Sequence, residues 1–94
     1  MHCVFKALAD PTRREILALL STRDMAAGEI AAHFNLSWPS ISHHLSILKQ
    51  AGLIVCNRSG QSMIYALNTA MFQKITAWIA ALVGRPETHC RRRL

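Results

Sequence analysis

The sequence predicts a single, mainly α-helical domain that carries one β-hairpin. Apolar residues recur at helical spacing along most of the chain, and this spacing changes to strict alternation around residues 53–67. The 94 residues allow one domain, and the composition is 51% hydrophobic with three prolines and four glycines. Such a composition excludes a disordered or low-complexity chain.

Four helices are predicted before the alternating segment, at residues 4–9, 11–20, 28–34 and 39–50. Asp10 suits the N-cap of the second helix, and Pro11 suits its first position, where a missing N–H has no cost. Residues 23–25 are interpreted as a loop. Gly52 is placed to end the fourth helix, because glycine is the usual residue just beyond a helix end.

Alternating apolar residues on both sides of residues 57–61 predict a β-hairpin with its turn there. Asn68 and Thr69 then cap a final helix that ends near Gly84. The order α-α-α-α-β-β-α, with two compact helices joined by a tight turn and followed by a hairpin, predicts a winged helix-turn-helix. We assign residues 1–84 to this DNA-binding and dimerisation domain, and residues 85–94 to a basic C-terminal tail that we expect to be disordered.

The chain is basic, with 11 Lys and Arg against five Asp and Glu, a formal net charge of +6 and a pI near 10.1. This balance indicates nucleic acid or another polyanion as the partner, although half of the excess lies in the tail. No apolar run reaches the roughly 18 residues of a membrane span, so we expect no membrane insertion. The N-terminus lacks the order of a signal peptide, and we expect a cytoplasmic protein.

The cysteines and acidic residues do not indicate catalysis. Cys3, Cys56 and Cys90 lie far apart and none belongs to a C-x-x-C pair, which favours reduced thiols over a disulfide framework. No nucleophile stands at a recognisable spacing from a base and an orienting acid, and no glycine-rich phosphate loop occurs. We therefore expect a protein that is not an enzyme and that has no cofactor.

The fourth helix carries the pattern that indicates DNA binding. At roughly 100° per residue, Ile41, Leu45 and Leu48 share the face that must enter the core. The opposite face and its flanks carry hydroxyl, imidazole and amide groups, and residues 35–57 contain no acidic side chain. Such a face can approach phosphates and place donors at base edges in the major groove, the alternative being an ordinary polar surface. The predicted DNA contacts on this helix are Ser40, Ser42, His43, Ser46 and Lys49.

Further predicted contacts flank this face. Trp38 is placed either to wedge against a sugar or to cover the core. Arg58 and Gln61, at the hairpin tip, are predicted to reach the DNA backbone or the minor groove, the alternative being a tight turn with a solvated arginine. His44 lies at the edge of the core face, where we expect it to pack and orient the helix.

The terminal helices predict a homodimer. The last helix has an apolar set that a core of this size is too small to hide, and the first helix adds to it. Packing both helices against a twofold-related copy would bury these side chains and would match a palindromic operator in double-stranded DNA. The predicted interface residues are Val4, Phe5, Leu8, Phe72, Ile75, Trp78, Ile79 and Leu82.

Three blocks of sequence together resemble the ArsR family of bacterial winged helix-turn-helix transcriptional repressors. They are the opening FKALADPTRREIL at residues 5–17, residues 30–54 with the helix-turn-helix, and Arg58, Gly60 and residues 65–68 in the wing. The wing and the SHHL motif of the fourth helix are most similar to the subgroup of SdpR-type autorepressors.

The resemblance implies a homodimer that joins through its first and last helices and leaves its operator when a signal arrives. It also implies that Ser40, Ser42 and His43 contact bases or phosphates and that Arg58 is the wing contact. The inducer would be either a protein or a small molecule.

The chain departs from this family where many members bind metal. Residues 29–34 contain no cysteine, and residues 69–83 contain no Asp, Glu, His or Cys, so we expect no conventional metal site. The pairs His2–Cys3 and His89–Cys90 would meet if the terminal helices formed a dimer, and they support an alternative, a metal- or thiol-responsive repressor. A winged-helix protein-interaction module is a further alternative.

Overall fold

A computed structural model describes residues 2–84, and its elements follow the order α-α-β-α-α-β-β-α. The helices are α1 (His2–Leu8), α2 (Pro11–Leu20), α3 (Ala27–Ala32), α4 (Trp38–Gln50) and α5 (Thr69–Val83). The strands are β1 (Met25–Ala26), β2 (Ile54–Ser59) and β3 (Ser62–Leu67), which form one antiparallel sheet in the order β1-β3-β2. The predicted mainly helical fold with a hairpin wing is confirmed, and the tail at residues 85–94 lies outside the described residues.

Side-chain and backbone hydrogen bonds explain where the helices begin. Asp10 is the N-cap of α2, and its Oδ2 accepts a hydrogen bond from the Arg13 backbone N–H at 3.0 Å. α3 lacks such a cap because Ala26 has no side-chain oxygen to accept one. Glu29 instead accepts a hydrogen bond from the Ala26 backbone N–H at 3.0 Å, which ties the start of α3 to its first turn.

The predicted bounds of three helices differ from the structure, and α4 differs only at its start, which is Trp38 instead of residue 39. The first helix covers residues 2–8 rather than 4–9. α3 ends at Ala32, two residues before the predicted end at Phe34. The N–H groups of His33 and Phe34 bond to carbonyls three residues back, both at 3.1 Å, and this tighter closure ends the helix.

The predicted loop at residues 23–25 is wrong at Met25, because this residue begins the short strand β1. Met25 and Ala26 pair with Tyr65 and Ile64 of β3, and the Met25 side chain is buried. Two residues are too few to show the alternation by which a strand is detected in sequence. Tertiary pairing with β3 therefore decides the conformation of this segment.

The hairpin turn is shorter than predicted. β2 continues to Ser59, which pairs with Ser62, so only Gly60 and Gln61 form the turn. Gly60 has a φ of +62°, the conformation that a type II′ turn requires at its first central residue. Arg58 is thus a strand residue close to the tip rather than a turn residue.

The core lies between the helices and the sheet. Ile41, Leu45 and Leu48 of α4 are buried, as their spacing predicts, and they join a cluster with side chains from α1, α2, α3, β1, β2 and α5. Every buried side chain among the described residues is hydrophobic. α4 is therefore anchored along one whole face.

The end of α4 is fixed by a Schellman motif. Gly52 has a φ of +80°, its N–H donates to the Lys49 carbonyl at 3.0 Å, and the Leu53 N–H donates to the Leu48 carbonyl at 3.1 Å. Asn68 Nδ2 donates to the Gly52 carbonyl at 2.9 Å, while its Oδ1 caps α5. One side chain thus joins the end of α4 to the start of α5.

Candidate nucleic-acid interface

α3, the turn at residues 33–37 and α4 form the helix-turn-helix. Ser37 is the N-cap of α4, and its Oγ accepts a hydrogen bond from the Ser40 backbone N–H at 3.3 Å. Pro39 occupies the first turn, where its missing N–H leaves no bond unmade. The cap and the buried face together fix both the start and the rotation of α4.

The predicted DNA-contacting residues of α4 lie on its solvent side. Four of them are exposed and the fifth is half-buried: Ser42, His43, Ser46 and Lys49, with Ser40 the half-buried one. Trp38, in the first turn, is 53% exposed, so the interpretation in which it covers the core is not supported. The face combines short hydroxyl side chains with one imidazole and one ammonium group.

The predicted contacts of the wing, Arg58 and Gln61, are exposed near the hairpin tip. Arg58 stands opposite Met63 in the β2–β3 ladder, and within residues 2–84 it forms neither an ion pair nor a side-chain hydrogen bond. A charged group in this position can contact a phosphate without first breaking an internal contact.

Charge is distributed unevenly along the chain. Residues 30–84 contain Lys49, Arg58 and Lys74 but no acidic side chain. The acidic residues before this stretch are Asp10, Glu15, Asp24 and Glu29. Glu29 is paired with Arg23 at 2.9 Å, and its pKa is lowered, mainly because it accepts the backbone hydrogen bond of Ala26 and also because of Arg23. α4 and the wing therefore carry no carboxylate that would repel the phosphates of DNA.

His44 is packed at the edge of the core, as predicted, and it contacts α2. Its side chain is 14% exposed, and its Nδ1 lies 3.3 Å from Nη1 of Arg13 and 3.9 Å from Oδ2 of Asp10. Sequence analysis did not single out Arg13. Its partner on α4 is 31 residues away along the chain, and no local pattern connects the two positions.

Asp10 has a second role beside its cap. The pKa of its carboxyl is lowered, chiefly by the hydrogen bond that it accepts from the Arg13 backbone N–H. The positive charge of Arg13 lowers it further, while partial burial opposes this effect. The carboxylate thus stays ionised beside the junction of α2 and α4.

An apolar face extends over α1 and α5. Phe5 and Trp78 pack with ring centroids 5.5 Å apart and tilted by 51°, yet Phe5 remains 38% exposed and Trp78 46% exposed. Ile79 is 44% exposed and Leu82 is 48% exposed. These four residues form an apolar face that remains exposed to solvent in the single protomer.

The other four residues predicted for the dimer interface are less accessible. Leu8 and Phe72 are half-buried against the core. Val4 and Ile75 are only 4% and 6% exposed, because both side chains point into the protomer. The structure therefore places Val4 and Ile75 in the protomer's own core, where little of either side chain is left for a partner.

The described residues contain neither a candidate metal cluster nor a candidate membrane span. Within residues 2–84, no three His, Cys, Asp or Glu side chains are grouped so that they could hold a metal ion. Cys3 is exposed and Cys56 is half-buried, whereas His89 and Cys90 lie outside the described residues. No helix in this part of the chain is long and apolar enough to cross a membrane.

Comparison with known proteins agrees with this architecture. Residues 10–55 match the model of the family described as "Bacterial regulatory protein, arsR family". The transcriptional repressor SdpR of Bacillus subtilis (strain 168) is 54% identical over 85 residues, which cover 90% of this chain and 94% of SdpR. Both descriptions are of regulators rather than enzymes, in agreement with the prediction.

Solved structures show the same fold. An ArsR-like transcriptional regulator from Rhodococcus sp. RHA1 superposes with a TM-score of 0.78 at 33% identity, covering 98% of this chain and 83% of that one. The homodimeric winged helix-turn-helix DNA-binding domain of a possible ArsR-family regulator from Mycobacterium bovis superposes with a TM-score of 0.72 at 28% identity, covering 87% and 76%. From its sequence and its fold, this chain belongs to the ArsR family of bacterial regulatory proteins.

Proposed function

We propose that this chain is a homodimeric, sequence-specific DNA-binding repressor that inserts α4 into the major groove of a palindromic operator. The solvent face of α4 carries the proposal, because it is anchored by three buried residues and lies in a stretch of 55 residues, 30–84, without a carboxylate. The proposed contacts on this helix are Trp38, Ser40, Ser42, His43, Ser46 and Lys49.

The wing supplies a second set of contacts. Arg58 and Gln61 extend beyond the core at the hairpin tip, where they can bind the backbone or the minor groove beside the docked helix. A cation bound to a phosphate strengthens binding to every DNA sequence, so the wing raises affinity while α4 supplies specificity.

A twofold dimer places two copies of α4 in successive major grooves. The open apolar face of Phe5, Trp78, Ile79 and Leu82 supports this assembly, and the half-buried Leu8 and Phe72 are further proposed contacts. The superposed Mycobacterium bovis domain is described as homodimeric, which is a second support. We infer that the chain pairs through α1 and α5.

The regulatory role follows from these contacts. A dimer seated on a promoter blocks access of the polymerase, and SdpR, which is similar over nearly its whole length, is named as a transcriptional repressor. We propose that this chain represses its own gene, acts in the cytoplasm, and is released by a protein or a small molecule.

A mobility-shift assay on the promoter of its own gene, with random DNA as competitor, tests the proposal. The expected result is a shift that resists competitor and is indifferent to zinc and to a chelator. If zinc releases the DNA, the metal-responsive alternative through the terminal His and Cys residues replaces the metal-free repressor. If neither this promoter nor genomic fragments selected by the protein bind specifically, the interaction-module alternative takes its place.

Two variants separate the roles of α4 and the wing. His43→Ala should lower operator affinity by about 1–3 kcal/mol and leave random DNA almost unaffected. Arg58→Ala should weaken operator and random DNA alike and reduce the slope of log K against log salt by about 1. Lys74→Ala, which removes an exposed cation from α5, is the control and should change neither the affinity for the operator nor the affinity for random DNA. Equal losses on both DNAs for His43→Ala would contradict a base-contacting role.

A further inference from the structure

Arg13 lies where α1, α2 and α4 meet. Its Nε donates to the Ala7 carbonyl at 2.8 Å, and its Nη2 donates to the Lys6 carbonyl at 3.3 Å. Its Nη1 lies 3.3 Å from Nδ1 of His44. One side chain of α2 therefore closes the C-terminal end of α1 and contacts the middle of α4 at the same time.

The chemistry of this contact assigns the donor. A guanidinium is permanently protonated and has no acceptor, so His44 Nδ1 accepts and the neutral ring carries its proton on Nε2. Asp10 Oδ2, at 3.9 Å from the same nitrogen, is beyond hydrogen-bond distance but adds a negative charge beside the pair. His44 has few alternative partners because its side chain is largely buried.

α1 connects this junction to the open apolar face. Val4 and Ala7 point into the core, whereas Phe5 points outward against Trp78 of α5. A helix of seven residues is too short to be stable alone, so its position depends on such contacts. Arg13 is bound to the last carbonyls of this helix, and a shift of α1 would move the guanidinium and with it the partner of His44.

We infer that Arg13 and His44 form a positioning pair, which couples the placement of the dimer helix α1 to that of the DNA-binding helix α4. The inference rests on the proposed function, since it assigns a role in operator binding to two residues that need not touch DNA. In a twofold dimer, the pair would set the distance between the two copies of α4. Its loss would lower affinity for a correctly spaced operator without lowering affinity for random DNA.

Arg14 provides a matched control for Arg13. It also closes the end of α1, because its Nη1 donates to the Leu8 carbonyl at 2.7 Å, but it forms no hydrogen bond to α4 among the described residues. Arg13→Met and Arg14→Met both remove a guanidinium and keep most of the apolar stem. Only Arg13→Met breaks the link to α4.

His44 offers a matched pair of its own. His44→Phe keeps a ring of similar size without an acceptor. His44→Asn places an amide oxygen close to the position of Nδ1 and can still accept from Arg13. Since His44 is packed at the edge of the core, rescue by the asparagine variant separates the hydrogen bond from simple loss of packing.

The test is a double-mutant cycle on binding to an operator, with affinity for random DNA and the dimer dissociation constant measured in parallel. Arg13→Met and His44→Phe should each weaken operator binding about tenfold, and the double variant should lose no more than either. Arg14→Met and His44→Asn should remain within about threefold of the wild type. On operators whose half-sites are moved apart by single base pairs, Arg13→Met should lose the preference of the wild type for one spacing.

Additive losses in the cycle, or an equal loss for Arg14→Met, would overturn the pairing. A parallel loss on random DNA for His44→Phe would make His44 a phosphate contact instead. Amide hydrogen exchange of the DNA-free dimer tests the pair independently of DNA: Arg13→Met should accelerate exchange in α1 and α4, and Arg14→Met in α1 alone. If the wild type binds no DNA specifically, the proposed function fails, and the exchange experiment still decides whether the two helices are coupled.

Discussion

Leu82→Ala is the sharpest test of the proposed dimer, which pairs through α1 and α5. Leu82 lies in the last turn of α5 and is 48% exposed in the protomer, so truncation removes mainly side chain that the protomer does not use. Complete burial of a leucine contributes about 1.5–3 kcal/mol, and roughly half of that is available for a partner. A symmetric dimer contains two copies of the residue. The expected loss is therefore about 1.5–3 kcal/mol, or roughly a 10- to 150-fold higher dimer dissociation constant.

Sedimentation equilibrium over a range of protein concentrations measures this change directly. Met63→Ala is the control, because Met63 is also an apolar side chain, is 40% exposed, and lies in the wing near the hairpin tip. It should leave dimerisation unchanged. Urea unfolding of both variants at a fixed protein concentration above the dissociation constant shows whether the protomer itself remains intact.

Two results would refute the reasoning. If Leu82→Ala dimerises as tightly as the wild type, α5 does not contribute its exposed face to the interface. If Met63→Ala weakens the dimer as strongly as Leu82→Ala, the wing rather than the terminal helices forms the contact. In either case the proposed spacing of the two α4 helices would have to be rebuilt on another interface.

Three further predictions concern the elements that hold α4 and the wing. Gly52→Ala should destabilise the fold by about 1–2 kcal/mol, measured by urea unfolding, because a φ of +80° is strained for alanine and the added Cβ would lie 3.1 Å from Met71 Cε; an unchanged midpoint would contradict this. Ser37→Ala removes the N-cap of α4 and should lower the free energy of unfolding by about 0.5–2 kcal/mol, whereas Ser37→Asp should keep most of that stability. Equal stability of Ser37→Ala and the wild type would contradict the cap. The pKa of Tyr65 is raised, first by burial and then by Cys56, so the folded state holds the phenol proton more tightly than the unfolded chain. The resulting stability is complete below about pH 10 and should be lost as the pH rises through the raised pKa; Tyr65→Phe should reduce this alkaline loss, and an identical pH profile for both proteins would refute the assignment.

Much of the candidate interface could be predicted from sequence because its determinants are local. The rotation of α4 follows from the spacing of Ile41, Leu45 and Leu48, and that rotation alone directs His43 and Ser46 toward solvent. The capping of α2 and the end of α4 likewise depend on residues within a few positions of the helix ends. These signals do not depend on contacts with distant parts of the chain.

The features that sequence analysis missed depend on contacts between distant segments. β1 exists because Met25 and Ala26 find partners on β3, about 40 residues away, and two residues carry no period of their own. Val4 and Ile75 belong to the apolar residues of α1 and α5, and the sequence pattern does not distinguish the buried members of these helices from the exposed ones. Only the packing of α1 and α5 decides which members of a stripe enter the core and which stay open.

The amino-acid sequence is sufficient to predict the order of the helices, the hairpin, the face of α4 that meets solvent and the absence of carboxylates from residues 30–84. Each of these is a property of one segment, set by periodicity, capping residues or charge. Packing between elements sets which apolar residues remain exposed on α1 and α5, and it brings Arg13 against His44. Both features depend on how separate segments pack together. Burial and long-range hydrogen bonds involve two elements at once, so they produce no periodic pattern in the sequence of either element.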